Sequence, residues 1–139
     1  MEADADDTVR IGQLELRFMV GAPGATVFEF TVPPSARVPA PHFHEAADEL
    51  LYGLEGVLTV TSGGEKTELR PGDAVFIPRG RVHHHENPHP GLARALVVIT
   101  PGTITRAYFE ELAAVINAPG PPDLARAREI MQRHGLVPG

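Results

Sequence analysis

Short apolar runs, broken by Gly, Pro and polar residues, occupy the sequence from residue 9 to residue 100. Runs of this length, rich in β-branched and aromatic residues and bounded by turn formers, are typical of strands in an all-β barrel or sandwich. Gly21–Gly24 and Ser62–Glu65 are predicted turns. The predicted strands are Val9–Val20, Ala25–Val32, Glu49–Leu54, Val57–Thr61, Thr67–Leu69, Asp73–Ile77, Arg81–Glu86 and Ala93–Thr100.

The apolar period changes after residue 100. Tyr108, Phe109, Leu112, Val115 and Ile116 recur every three or four residues, which predicts one face of a helix. A second short helix follows, with its apolar stripe at Leu124, Ala127, Ile130 and Met131, Pro121 and Pro122 near its start and Gly135 near its end. We expect both stripes to pack on the barrel without chemical roles. The predicted organisation is a disordered tail (1–8), a β-barrel (9–100) and a helical extension (101–139).

Composition limits the possible functions. A chain of 139 residues suits one domain, and its net charge of -6, without basic patches, argues against nucleic acid or anionic membrane as the main partner. It has no Cys, so any metal must be held by His, Asp or Glu. No basic leader precedes an apolar run, and no apolar stretch approaches the roughly 20 residues of a membrane span, so we expect a cytoplasmic protein.

Histidines are concentrated in two short segments, His42–His44 and His83–His85, which hold five of the seven. Residues two apart on a strand share a face, so His42 and His44 can converge on one ion. Glu49 then opens an apolar run, where an ion would offset the cost of burying its carboxylate. His83 follows a strand and a Pro-x-Gly turn that can return the chain to the first pair.

Three imidazoles and one carboxylate suit a divalent transition metal such as Fe, Mn, Ni, Cu, Co or Zn. Four protein ligands leave two positions of a six-coordinate ion for water, dioxygen or substrate. Spacing alone leaves rivals in place. Glu45 and Asp48 compete with Glu49, and His85 shares a strand face with His83.

Two motifs resemble those of the cupin family. His42-x-His44-x4-Glu49-x6-Gly56 resembles the first cupin motif, and Gly72-x5-Pro78-x-Gly80-x2-His83-x3-Asn87 resembles the second. Ala36 stands where the first motif usually opens with Gly. The chain is identified as similar to small bacterial single-domain cupins of the quercetinase-like branch.

This resemblance implies a double-stranded β-helix, or jelly-roll barrel, with one or two short C-terminal helices. It also implies that His42, His44, Glu49 and His83 hold one divalent metal ion, which selects Glu49 over Glu45 and His83 over His85. Small cupins commonly pair, so a homodimer is expected.

A complete ligand set favours an enzyme. Leu51 and Gly53 share the inward face with Glu49, and Gly53 predicts extra space beside the metal. The remaining candidates for the pocket wall are Phe28, Phe30, Phe43, Phe76 and Met19. An apolar pocket of this kind favours an aromatic or polyketide-like small molecule as substrate.

The leading hypothesis is a quercetinase-like dioxygenase, in which the metal binds a substrate oxygen and dioxygen. Glu49 is then the catalytic residue, acting as ligand and as proton acceptor. A redox-neutral cyclase, isomerase or decarboxylase is the second hypothesis, with the metal as a Lewis acid. A non-enzymatic protein that binds a small ligand is the third.

Overall fold

The computed structural model describes residues 7–139, and strand is the commonest secondary structure among them. The predicted tail falls largely outside this range, and Thr8 already opens the first strand. The strands are β1 (Thr8–Ile11), β2 (Leu14–Ala22), β3 (Ala25–Val32), β4 (His42–His44), β5 (Asp48–Glu55), β6 (Leu58–Ser62), β7 (Glu65–Leu69), β8 (Ala74–Ile77), β9 (His83–Glu86), β10 (Ala93–Thr100) and β11 (Leu136–Pro138). The helices are α1 (Arg106–Ile116) and α2 (Leu124–Arg133).

The strands form two antiparallel sheets. One has the order β1-β2-β3-β10-β5-β8 and the other β11-β4-β9-β6-β7. Side chains alternate in burial along several strands: in β3, Phe28, Phe30 and Val32 are buried, and their neighbours in the sequence are less so. The buried residues of both sheets belong to one hydrophobic core. These features confirm the predicted all-β fold with short C-terminal helices.

The first predicted strand is two strands. The chain reverses at Gly12 and Gln13, and β1 pairs with β2 so that Ile11 faces Leu14. Gly12 has φ = +60°, a left-handed conformation that Gly adopts without a steric penalty. The sequence pattern did not predict this turn, because β1 and β2 both bury their apolar residues and the apolar pattern runs across the turn without a break.

The C-terminal segment both covers the barrel and extends it. α1 contacts β1 and α2, and it buries Tyr108, Leu112 and Ala113. After Gly135, with φ = +83°, the chain forms β11, which pairs with β4 so that Leu136 lies opposite His44. The segment after residue 100 therefore contributes a strand as well as two helices. In the part of the chain that the structure describes, neither helix has the length and apolarity needed to cross a membrane.

Candidate metal centre

Three strands bring the histidine segments and the acidic residue together. β4 and β9 are neighbours in the five-stranded sheet, with His42 opposite His83, and β5 carries Glu49 in the other sheet. The ring centroids of His42 and His83 are 4.6 Å apart, and those of His44 and His83 are 4.8 Å apart. His42, His44 and His83 each offer a nitrogen within 4.8 Å of the others. The predicted convergence of imidazoles is present in the structure.

Glu49 presents its two oxygens to different partners. Oε1 lies 3.8 Å from Nε2 of both His44 and His83, whereas Oε2 lies 2.7 Å from Nε2 of His85. Glu49 is only 5% exposed. A carboxylate this deeply buried is stable only with partners of this kind.

The backbone determines which nitrogen each of two rings offers. Nδ1 of His42 lies 3.0 Å from the carbonyl oxygen of Ala40, and Nδ1 of His83 lies 3.1 Å from that of Arg81. Because a carbonyl only accepts, Nδ1 carries the proton in both rings and Nε2 keeps its lone pair. Nε2 of His83 is buried and has no hydrogen-bond partner among residues 7–139. This arrangement is the one that metal-binding histidines use, so the residues fit a metal ion.

The electrostatics favour the protonation states that a metal needs. Burial is the main cause that lowers the pKa of His42, His44 and His83 to about 4. Burial by itself raises the pKa of Glu49, but the hydrogen bond and charge of His85, with smaller contributions from other histidines, outweigh it and bring that pKa below its usual range. Near neutral pH His42, His44 and His83 are therefore neutral and Glu49 is ionised, as metal binding requires.

The three rival residues lie in different places. Glu45 is exposed. Asp48 Oδ1 accepts a hydrogen bond from the Arg79 backbone at 2.9 Å, and the Arg79 side chain pairs with the same carboxylate. His85, in contrast, lies in the cluster, where Glu49, His83 and His85 form a second set of three groups within 4.8 Å of one another. The structure therefore gathers four histidines around Glu49.

A cavity of about 80 Å³ opens beside this cluster. The polar part of its lining, here called the polar end, is formed by the cluster. The apolar part, here called the apolar end, is formed by strand side chains and by α1, which contributes Tyr108, Phe109 and Leu112. The helix was predicted to pack on the barrel, which it does, and it also forms part of the cavity wall. Helical periodicity gives no signal of this second position.

Two of the predicted pocket residues, Phe28 and Phe30, line the cavity. Leu51 is fully buried in the core and does not line it. Gly53 has a different role from the one expected: a Cβ atom there would lie 2.1 Å from the carbonyl oxygen of Arg70. The missing side chain makes room for backbone, not for substrate.

The last three predicted pocket residues lie away from the cavity. Phe43 alternates with His42 and His44 on β4 and lies opposite Val137 of β11. Phe76 is 58% exposed and Met19 is 52% exposed. Ile77, next to Phe76, takes the inward position on β8, and Met19 lies where the register between β2 and β3 shifts. Alternation gives two faces but does not say which one is inward.

Asn87, the last residue of the second motif, has a structural role. Its Nδ2 donates to the carbonyl oxygens of Val32 at 2.9 Å and Gly91 at 2.8 Å. Its Oδ1 accepts from the backbone of His89 at 3.0 Å. Asn87 thereby ties the loop between β9 and β10 to the end of β3 and does not reach the metal centre.

Comparisons with known proteins agree with this geometry. The sequence model of the cupin domain family matches residues 28–99, which include β4, β5 and β9. The tetracenomycin polyketide synthase protein TcmJ of Streptomyces glaucescens is 34% identical over 91 residues, which are 66% of this chain and 50% of that protein. Quercetin 2,3-dioxygenase of Bacillus subtilis is 39% identical over 44 residues, 32% of this chain and 13% of that protein.

Among solved structures, KdgF from Halomonas sp. superimposes with a TM-score of 0.61 and 26% identity, covering 68% of this chain and 86% of that one. The chain spans half the length, or less, of the curated relatives it matches.

Proposed function

Because this chain belongs to the cupin domain family, we propose that it is a metal-dependent enzyme acting on a small aromatic or polyketide-like molecule. One observation carries the proposal: a single cavity is lined both by the four candidate metal ligands, with His85 beside them, and by an apolar wall with aromatic rings. A substrate with an aromatic body and an oxygen substituent matches the chemistry of both parts of the lining.

His42, His44, His83 and Glu49 would hold the metal ion. Bound there, a divalent transition metal supplies a Lewis acid for a substrate oxygen, and a redox-active metal also supplies a route for dioxygen chemistry. The chain buries His44, Glu49 and His83, and it holds the Nδ1 protons of His42 and His83 on backbone carbonyls.

The apolar end binds and orients the body of the substrate. Phe28 and Phe30 lie at right angles to each other, and Phe109 packs against Phe28 with ring centroids 5.3 Å apart. Such edge-to-face walls accept a further aromatic ring and exclude water. Burial raises the pKa of Tyr108 well above its usual value, so its phenol stays neutral in this wall.

Glu49 acts in this proposal mainly as a ligand. Its lowered pKa makes the carboxylate a weak base in the state that the structure shows. A role for Glu49 in accepting a substrate proton therefore requires a change in its partners during the reaction. The predicted catalytic role of Glu49 stays a prediction.

Dioxygenation is the first candidate reaction, and the similarity to quercetin 2,3-dioxygenase supports it. The test is oxygen consumption by the iron-, manganese-, nickel-, cobalt- or copper-loaded protein with flavonols and catechols. Coupled loss of substrate and oxygen is expected. Turnover that is undiminished under anaerobic conditions would exclude the reaction.

A redox-neutral cyclisation, isomerisation or decarboxylation is the second candidate. Its support is the similarity to the polyketide synthase protein TcmJ, which extends over 66% of this chain against 32% for the dioxygenase. A reaction of this type needs only a Lewis acid, so zinc can support it just as well as a redox-active metal. Anaerobic turnover of polyketide-type substrates by the zinc-loaded protein is the expected result, and a requirement for oxygen would exclude it.

A further inference from the structure

His85 is the one histidine of the cluster that the family's motif does not assign. β9 places it on the same face as His83, with ring centroids 5.3 Å apart and planes inclined by 23°. Its Nε2 lies 2.7 Å from Glu49 Oε2. It is therefore close enough to be a ligand or to act on a ligand.

The hydrogen bond of the ring Nδ1 atom distinguishes His85 from two of the proposed ligands, His42 and His83. His42 and His83 each donate Nδ1–H to a backbone carbonyl two residues upstream and direct Nε2 to the site. In the part of the chain that the structure describes, Nδ1 of His85 is buried without a hydrogen-bond partner. Its Nε2, the nitrogen that a ligand would offer, already contacts Glu49. A carboxylate oxygen only accepts, so Nε2 of His85 carries the proton of this hydrogen bond.

Because of the hydrogen bond from His85, the two oxygens of Glu49 have different partners. Oε2 accepts the hydrogen bond from His85, and Oε1 faces Nε2 of His44 and of His83, each at 3.8 Å. A charge-assisted hydrogen bond of 2.7 Å is among the strong ones in proteins and resists rotation of the carboxylate.

We propose that His85 is a positioning residue, which holds Oε2 of Glu49 so that Glu49 offers Oε1 alone to the metal ion. Glu49 then occupies one coordination position, and the position that Oε2 would take remains for water or substrate. His85 acts through Glu49 and does not itself bind the metal. This inference rests on the metal site proposed above.

The experiment measures Co²⁺ binding by calorimetry to metal-free wild-type protein and to two variants. His85→Gln places an amide N–H near the position of Nε2, so it keeps the donor but lacks an imidazole. His85→Leu removes the donor. We expect His85→Gln to bind within about 3-fold of wild type and His85→Leu to bind about 10- to 100-fold more weakly, as is typical when a partner of a ligand is lost.

Two further measurements keep the result interpretable. The visible absorption of bound Co²⁺ reports its ligand set, and we expect the His85→Gln spectrum to match wild type. Thermal unfolding of the metal-free variants shows that they are folded, and His85→Gln decides the question even if His85→Leu is unstable. His89→Gln is the matched control, since His89 bonds to Glu68 and lies outside the cavity lining.

The possible failures are distinct. If wild-type protein binds no Co²⁺, the proposed metal site itself is overturned. If wild type binds and His85→Gln loses affinity as strongly as His85→Leu, with an altered Co²⁺ spectrum, His85 is a ligand and the positioning role is wrong. If both variants bind like wild type, His85 does not position Glu49.

Discussion

The side chains at the two ends of the cavity differ in whether the protein itself supplies their interaction partners. At the apolar end, the aromatic rings are partners for one another: Phe28 lies 5.2 Å from Phe18 and 5.3 Å from Phe109 between ring centroids. At the polar end, Nε2 of His83 is buried without a partner among residues 7–139. Buried polar atoms without partners cost stability. The apolar end therefore stabilises the fold by itself, whereas the polar end gains its full stability only with a cation.

This difference predicts that substitutions at the two ends change different properties of the protein. The apolar end should change the free energy of unfolding and leave metal affinity nearly unchanged. The polar end should change metal affinity and the stabilisation that metal confers.

Phe28→Ala is expected to have the largest effect. It removes a buried ring that contacts three other aromatic rings, and such truncations lower the free energy of unfolding by about 3–5 kcal/mol. Denaturant unfolding of metal-free protein measures it. Phe76→Ala is the control, because Phe76 is 58% exposed and surface changes stay within about 0.5 kcal/mol. Equal losses in the two variants would contradict the assignment of Phe28 to the interior wall.

His83→Ala tests the polar end. Loss of a partner of a ligand typically costs 10- to 100-fold in metal affinity, so we expect loss of a ligand itself to cost more than about 100-fold. Wild-type protein should gain about 2.7 kcal/mol of stability when free metal is 100 times its dissociation constant. The variant should gain almost nothing, as shown by Co²⁺ titration and by unfolding with and without metal.

The control for that experiment is His89→Ala, at a histidine outside the cavity lining. It should keep the affinity of wild type for Co²⁺. If His83→Ala bound Co²⁺ with wild-type affinity, the buried Nε2 atom of His83 would not be needed for metal binding. The proposed difference between the two ends would then be wrong.

Gly53→Ala tests whether the missing side chain of Gly53 makes room for the backbone of Arg70 or enlarges the pocket. The added Cβ would lie 2.1 Å from the carbonyl oxygen of Arg70, so β5 or the following turn must shift, at a cost of about 1–3 kcal/mol. Gly91→Ala is matched to it, because a Cβ at Gly91 meets nothing within 4 Å and Gly91 does not have a positive φ. Unchanged stability in Gly53→Ala would return Gly53 to the pocket, as first predicted.

The polar end was predictable in part from local patterns, and the resemblance to the two cupin motifs selected the ligand set among the remaining candidates. Strand alternation places His42 with His44, and the turn at Gly80 returns the chain so that His83 lies beside them. The apolar end was less predictable. Helical periodicity shows that Tyr108 and Phe109 share an apolar face but does not show that the face meets a cavity.

The same limit explains two other differences. Phe76 and Ile77 are both apolar, so alternation could not tell which one faces inward. The pairing of β11 with β4 joins segments that are distant in the sequence, and nothing in Leu136–Pro138 identifies its partner. Contacts of this type depend on the whole fold.

Asn117→Ala tests how the helix that closes the apolar end is held. Asn117 Oδ1 accepts from the backbone N–H of Gly12, and its Nδ2 donates to the carbonyl oxygen of Arg10, both at 2.7 Å. Loss of two hydrogen bonds of ordinary strength should lower the free energy of unfolding by about 1–2 kcal/mol. Asn117→Asp keeps the acceptor for Gly12, but it places a carboxylate oxygen against the carbonyl oxygen of Arg10 and a negative charge at the C-terminal end of α1, so it should cost at least as much. Co²⁺ affinity should be unchanged in both, since α1 contributes only to the apolar end; a loss of affinity would show that the two ends are coupled through the helix.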